Sequence, residues 1–549
     1  MTKDIEERRT MSTGAKITIG IVVLVVLAIG GVTWGIFSKV CVGYVLNADL
    51  DRAIKVAKVD WKQGRAQIEE IFEQATKNGT EPETLMELHR KYASFLYKEH
   101  LTEAGDYQIQ KAIELAMSGD AWKKFEAVAS QLSQVYYDRA WEKHDRWLAG
   151  KTKDTGLQDQ LRSIEIAENR LQPNSSATNE KRAYLAVIFA DIGDSARANS
   201  TMERAVSSIA DNKFSKAENW YIYAMLARMK AVQRKYKEAL EAWLELKDVT
   251  TEAHCEKGWK ELVFGLRHGS NRKKPETALA RHLFAEEDFA ELDRLSKEYL
   301  KSDQLYWTGF EQLDYFSTAI EGESNNNEKN YKIWVARLER WLKKYPKSDL
   351  ARTCLAQTHI YRAWEIDDDE EDTNYKALIQ KANDVMDVDP DLPNRFPKAF
   401  VPALRLAAAK HEKADLFKVI DAANKRWPHY FCIDSWAFKF QDYETLGEKI
   451  DRIAYAKKRA DSMGGSEGDK YYARMAFEFF DDCYGSDADS KDHFDWDKVK
   501  TGFASIIKDF PNELEARIAF ITIANAENDD KTLLSVFDGF EPKVQSIKK

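Results

Sequence analysis

The chain has 549 residues, 44% of them hydrophobic and 15 of them tryptophan, enough apolar surface to exclude wholesale disorder. Its 25 glycines and 11 prolines fall well below the roughly 12% combined share of average sequences, which excludes collagen-like and low-complexity chains and favours long helices. The net charge of −9 excludes a general nucleic-acid coat, and five cysteines, at 41, 255, 354, 432 and 483, are too few and too scattered for a disulfide scaffold.

In chain order, residues 1–16 read as a short cytoplasmic tail. Residues 17–38 carry no charge between Lys16 and Lys39. As a helix rising about 1.5 Å per residue they would reach roughly 33 Å, the thickness of a hydrocarbon core, with Trp34 at one interface. The span is too long for a signal-peptide core and lacks its cleavage site. Lys39-Val40 stand where lipidation of Cys41 would want small residues. The sequence therefore predicts a transmembrane helix over 17–38. Lys3, Arg8, Arg9 and Lys16 ahead of it, against Lys39 and Arg52 behind, place the bulk of the chain outside the cytoplasm, with a bacterial inner membrane as the expected location. The sequons at Asn78, Asn174 and Asn199 are short enough to recur by chance.

Residues 39–78 read as a juxtamembrane helical segment, and 79–265 as helical repeats. Ala186, Phe189, Gly193, Ala198, Met202 and Ala205 alternate small and large residues about a glycine turn. Ala227, Tyr236, Ala239, Trp243 and Leu246 follow in register, Ala239 lying 41 residues after Ala198. Small residues let helices approach, and large apolar ones fill the space between hairpins. On these residues the region resembles tetratricopeptide-repeat proteins in a lengthened form. The resemblance implies a right-handed superhelical array of helix hairpins.

Residues 266–280, with Gly269-Ser270-Asn271-Arg272-Lys273-Lys274-Pro275, read as a linker between two blocks. The block 281–549 repeats a helix-then-proline pattern: Trp334, Leu338, Trp341, Leu342 and Tyr345 before Pro346, and Val499, Phe503, Ile506, Ile507 and Phe510 before Pro511. Shorter versions precede Pro390 and Pro428. The four prolines are spaced 44, 38 and 83 residues apart, the last near twice the others, as a helical solenoid with a period near 40 would space them. The fold class expected is all-α, with Trp341, Trp364, Trp427 and Phe503 buried between helices. From Leu283 onward, Phe289-Ala290-Glu291-Leu292-Asp293, Tyr345-Pro346, Ala363-Trp364-Glu365, Trp427-Pro428, Gly464-Gly465-Ser466 with Tyr472-Ala473-Arg474, and Phe510-Pro511 resemble, in order, a bacterial domain family of unknown function. An acidic run at 367–372 departs from that family's Arg-Gly, and the resemblance implies no activity.

The tetrapeptide Arg139-Ala140-Trp141-Glu142 recurs as Arg362-Ala363-Trp364-Glu365, a sign of block duplication. It reads as a repeated ligand contact or, more simply, as a packed tryptophan with a local ion pair. Histidines and cysteines form no ligand spacing, and His254-Cys255 are adjacent, a poor geometry for one tetrahedral ion. Gly464-Gly465-Ser466-Glu467-Gly468 lacks the strand and lysine of a phosphate loop and reads as a helix connector. The acidic run at 367–372 lacks the glycine and spaced ligands of a calcium loop, and among Asp487, Asp489 and Asp492 a lysine, Lys491, occupies a ligand position. No catalytic, cofactor-binding or metal-ligating residue is nominated. The function expected is a membrane-anchored helical scaffold or adaptor that binds proteins or peptides at an extracytoplasmic face. The alternative is an envelope-associated enzyme or processing factor with a site between repeats.

Overall fold

A computed structural model describes residues 45–540 apart from positions 59, 100, 119–125, 172, 174, 212–218, 249, 269–273, 303, 322–327, 367–372, 410–412, 441–451 and 484–493. The described residues are all-α; their one extended pairing is an isolated antiparallel bridge between Leu305 and Glu311. The chain divides into two compact units, Met1–Gly265 and Leu266–Lys549.

The first unit contains α1 (45–58), α2 (Trp61–Lys77), α3 (Pro82–Lys98), α4 (Thr102–Met117), α5 (Glu126–Leu148), α6 (Leu157–Arg170), α7 (Ser176–Asp191), α8 (Ser195–Asp211), α9 (Trp220–Val232), α10 (Tyr236–Lys247) and α11 (Glu252–Leu266). Neighbours pair: α3 with α4, α5 with α6, α7 with α8, α9 with α10. The leading helices of successive pairs also lie side by side, α3 against α5 and α7 against α9. Ala186, Ala198, Ala205, Ala227 and Ala239 are fully buried, and Phe189, Met202, Tyr236, Trp243 and Leu246 fill the spaces between them.

The hairpins close on a recurrent turn. One residue takes the left-handed conformation that breaks the helix, and at three of the four turns an aspartate follows and caps the next helix. Gly193 has φ +87° before Asp194, whose carboxylate accepts from the Arg197 amide. Arg234, at φ +64°, takes that conformation between α9 and α10 without a glycine.

The second unit contains α12 (Pro275–Ala285), α13 (Phe289–Tyr299), α14 (Gln312–Glu321), α15 (Glu328–Lys344), α16 (Asp349–Ile366), α17 (Thr373–Asp387), α18 (Leu392–Arg395), α19 (Phe400–Ala408), α20 (Lys413–Arg426), α21 (Phe431–Lys439), α22 (Arg452–Met463), α23 (Gly465–Cys483), α24 (Trp496–Asp509), α25 (Leu514–Ala526) and α26 (Asp530–Ser535). The row α12, α14, α16, α19, α21, α23, α25 runs through it, each helix against the next. The same turn appears as Glu287-Asp288 and Asn528-Asp529, with φ +57° and +54° at the first residue of each and the aspartate capping α13 and α26.

The prolines at 346, 390, 428 and 511 follow α15, α17, α20 and α24, the second helix of a pair in each case. The double-length gap holds α22, which stops at Gly464, at φ +68°, instead of a proline. Gly465-Ser466-Glu467-Gly468 opens α23, so this stretch is a connector running into a helix. Gly502 lets α24 lie on α23: a Cβ there would strike the Asp469 carbonyl and sit 2.6 Å from the Ala473 methyl.

Two expectations are corrected. The fold read from the sequence began with a transmembrane helix, but no helix among the described residues is long and apolar enough to cross a membrane. The physical reason is amphipathic patterning: even the 23-residue α5 carries Asp138, Arg139, Glu142, Lys143, Asp145 and Arg146. Residues 17–38 lie outside the described residues, as do Cys41, Asn174, the acidic run at 367–372 and the Asp487, Asp489 and Asp492 trio. The second correction concerns the tryptophans. Trp341 and Phe503 are fully buried, but Trp364 and Trp427 are half-buried. An indole N–H needs an acceptor, and Trp427 finds one at the Pro393 carbonyl, 2.9 Å away, which holds it at the rim.

His359 on α16 gives the second unit a pH dependence. It is 5% exposed, its Nδ1 lies 2.9 Å from the Tyr331 hydroxyl, and burial, with a smaller push from Lys381, lowers its imidazole from 6.5 to about 4. The unfolded chain binds this proton near pH 6.5 and the folded chain only near 4, so protons favour unfolding between those values. Stability is expected to fall by up to about 3 kcal/mol as pH drops through that window. Unfolding free energies at pH 7 and pH 4.5 check this: in His359→Gln the difference should shrink, and an unchanged difference would remove His359 as its source.

Candidate functional site

The repeated tetrapeptide marks corresponding places in the two units. Arg139-Ala140-Trp141-Glu142 lies on α5 and Arg362-Ala363-Trp364-Glu365 on α16, each the leading helix of a pair, with both alanines fully buried. In each case the tryptophan faces a side chain of the next leading helix. Trp141 stacks on Tyr184 of α7, rings 4.4 Å apart and 2° from parallel. Trp364 meets Arg405 of α19, the guanidinium 4.9 Å from its ring. The arginines hold neighbouring helices: Arg139 binds Asp159 on α6 at 2.6 Å, and Arg362 binds Glu328 on α15 at 3.1 Å.

In the second unit the tryptophan belongs to a cage. Arg405 is fully buried, its guanidinium 4.0 Å from the Trp436 ring and 4.1 Å from Tyr361, and one nitrogen donates to the Tyr361 hydroxyl at 3.0 Å. Three aromatic faces round a desolvated guanidinium are a strong cation–π arrangement. Deeper in this unit, the Lys398 ammonium lies 3.7 Å from Asp314 and 3.8 Å from the Cys432 thiol. Asp314 accepts from Tyr430 at 2.6 Å. Burial works against the lysine's charge, but Cys432, Glu321 and Asp314 together hold it above the ordinary range. Burial pushes the Cys432 and Cys354 thiols well up, which makes them poor nucleophiles.

In the first unit the corresponding place is a recess lined from α5, α7, α9 and α11. At its floor His144 and Asp191, both fully buried, meet at 2.7 Å. The other ring nitrogen of His144 lies 3.2 Å from the Thr155 carbonyl. With both nitrogens engaged, this pair orients helices instead of activating a nucleophile. Arg228, 2% exposed, lies 3.7 Å from Asp191 and 2.7 Å from Glu261, and its guanidinium sits 4.5 Å from the Phe264 ring. The Tyr137 and Tyr221 hydroxyls are 3.1 Å apart on one wall.

Besides Nε and one Nη of Arg228, which lack hydrogen-bond partners among the described residues, two groups in the recess are left over. The Tyr184 hydroxyl, fully buried, has no hydrogen-bond partner among the described residues. Asp145 is exposed, yet surrounding protein raises its carboxyl above the usual range, with Arg228 and His144 acting against that rise. Burial likewise raises the half-buried Tyr137 and Tyr221 phenols.

The residues weighed from the sequence fall elsewhere. His254 stacks on Trp220 at 4.6 Å while Cys255 points toward the Lys247 carbonyl, so the adjacent pair serves two separate contacts. Asn199 receives a hydrogen bond from Gln233 at 3.1 Å. Among the described residues no group of histidine, cysteine and acidic side chains could hold a metal ion. The recess itself was missed, although Trp141, Tyr184 and Arg228 recur at 43 and 44 residues, close to the repeat period. No protein-family model matches the chain, and no curated protein matches it.

Proposed function

We propose that this protein is a helical-repeat scaffold of tetratricopeptide-like design that binds other proteins or peptides. The observation that carries the reading is the recess of the first unit, where four alternate helices, α5, α7, α9 and α11, contribute aromatic and charged side chains to one place. Arrays of paired helices present such surfaces to extended ligands. Aromatic and arginine side chains are the usual anchors of protein interfaces. Membrane association through residues 17–38 and an extracytoplasmic location belong to the same proposal, on the strength of the uncharged stretch and its flanking lysines.

A photo-crosslinking amino acid placed in living cells tests the binding reading. Phe264 is 46% exposed at the recess, and Tyr107 is 59% exposed on α4, the second helix of its pair. Discrete protein adducts are expected at position 264 and few at 107. Equal adducts at both positions, or none at either, would count against a ligand on this face.

A further inference from the structure

We infer that the recess of the first unit takes a guanidinium group from outside, the arginine side chain of a bound peptide, with Asp145 as its carboxylate and Trp141 as its aromatic floor. The inference rests on the peptide-binding reading above and names the ligand's chemistry.

The first argument is internal comparison. The two tetrapeptides place a tryptophan at the same position of a leading helix, facing the next leading helix. In the second unit that neighbour supplies a guanidinium, Arg405, which sits among Tyr361, Trp364 and Trp436. In the first unit the neighbour is Tyr184, which supplies a ring and an unpartnered hydroxyl instead of a cation. The second unit sets its own Arg405 against the tryptophan; in the first, Arg228 lies over Phe264 instead, and no guanidinium faces Trp141 among the described residues.

The second argument is charge. Arg228 is matched by Glu261 at 2.7 Å, and Asp191 is held by His144 at 2.7 Å. On the adjoining wall, Arg90 pairs with Asp138 at 3.1 Å, and Lys181 donates to Gln134 at 3.2 Å. Asp145 has no hydrogen bond or ion pair of its side chain among the described residues and is the carboxylate left over. It lies one helical turn from Trp141, at i and i+4, so both reach the same patch of surface. A planar cation held by that carboxylate meets the indole face, the pairing arginine makes better than lysine. Glu261, 24% exposed, adds a second negative group beside it, so an acidic ligand is disfavoured.

The test uses the full-length protein and a fluorescein-labelled twelve-residue probe of four Gly-Ser-Arg units, read by anisotropy. A citrulline version keeps the shape and hydrogen-bonding edge but removes the charge, and a glutamate version reverses it. The arginine probe should bind, with citrulline at least tenfold weaker and glutamate not measurable. Asp145→Asn should weaken the arginine probe about tenfold, the usual size of one charge-assisted hydrogen bond. Glu203→Gln, the same charge change at an exposed site on α8, should stay within twofold. Asp145 is exposed, so its variant should fold, and an unchanged thermal transition verifies that.

Citrulline binding within twofold of arginine, or equal losses in Asp145→Asn and Glu203→Gln, overturns the inference. Adducts at position 264 combined with no preference for the arginine probe would leave the scaffold reading standing and remove this one. Asp145-dependent arginine binding without adducts would do the reverse.

Discussion

Trp341→Ala is expected to lower the stability of the second unit by about 3–5 kcal/mol, the usual cost of truncating a fully packed large aromatic. Trp341 on α15 has no exposed surface. It stacks on Phe289 at 5.2 Å and 6°, meets Phe284 at 6.3 Å, and belongs to a core that includes Leu338, Leu350 and Cys354. Its indole N–H points to the Asp293 carboxylate at 3.4 Å, and Asp293 also accepts from Ser348 at the start of α16. The alanine variant therefore opens a cavity between α13 and α15 and removes a donor from a carboxylate that burial already raises. Trp341→Phe keeps the stack and should cost less than half as much. Hydrogen exchange resolved by peptide separates the two units, which need not unfold together. Protection should fall across α12–α16, with residues 45–265 unchanged. A cost below about 1 kcal/mol would contradict this account of the core.

The second large effect belongs to the floor of the recess. Asp191→Ala removes a carboxylate with no exposed surface and leaves Arg228, 2% exposed, with Glu261 as its remaining ion-pair partner; His144 loses its 2.7 Å acceptor. Breaking a buried pair from one side costs about 3–5 kcal/mol, because the surviving charge stays desolvated. Removing both charges costs less than the sum, since no fully buried charge is left short of a partner; Glu261, which loses Arg228, is 24% exposed and keeps part of its hydration. The double variant Asp191→Ala with Arg228→Met is thus expected to be more stable than the sum of the single losses implies, by about 1–3 kcal/mol of coupling. Urea unfolding of the four proteins measures it. Strict additivity would show that Asp191 and Arg228 act independently and would loosen the case for a preformed recess.

Much of the architecture was legible because it is local. A stop after a helix needs only proline's missing N–H or a left-handed glycine, so Tyr345-Pro346, Trp427-Pro428 and Phe510-Pro511 announce helix ends without reference to anything distant. The alternation of Ala198, Met202 and Ala205 reports a helix face in the same way. The turn was less legible. Glycine at 193 was readable, and Asn528 is of a type that tolerates the left-handed region, whereas Arg234 and Glu287 adopt the same conformation with nothing in their type to demand it. Packing of the flanking helices imposes the conformation there.

What the sequence determined by itself was the all-α class, the near-40-residue repeat and the amphipathic face of the second helix of each pair, since these depend on neighbours a few positions apart. Tertiary structure alone decided which half-buried aromatics remain at a rim and where charge is left over. Asp145 gives no sign in the sequence of differing from any other helix-surface aspartate. Its role follows from Trp141 one turn away, Tyr184 and Arg228 brought in from two further hairpins, and Glu261 from a fourth helix. The physical reason is that pairing is a sum over neighbours in space: whether a carboxylate is matched depends on which cations the fold brings within about 4 Å of it, and those come from residues as far off in the chain as Arg267 is from Glu515, 248 positions.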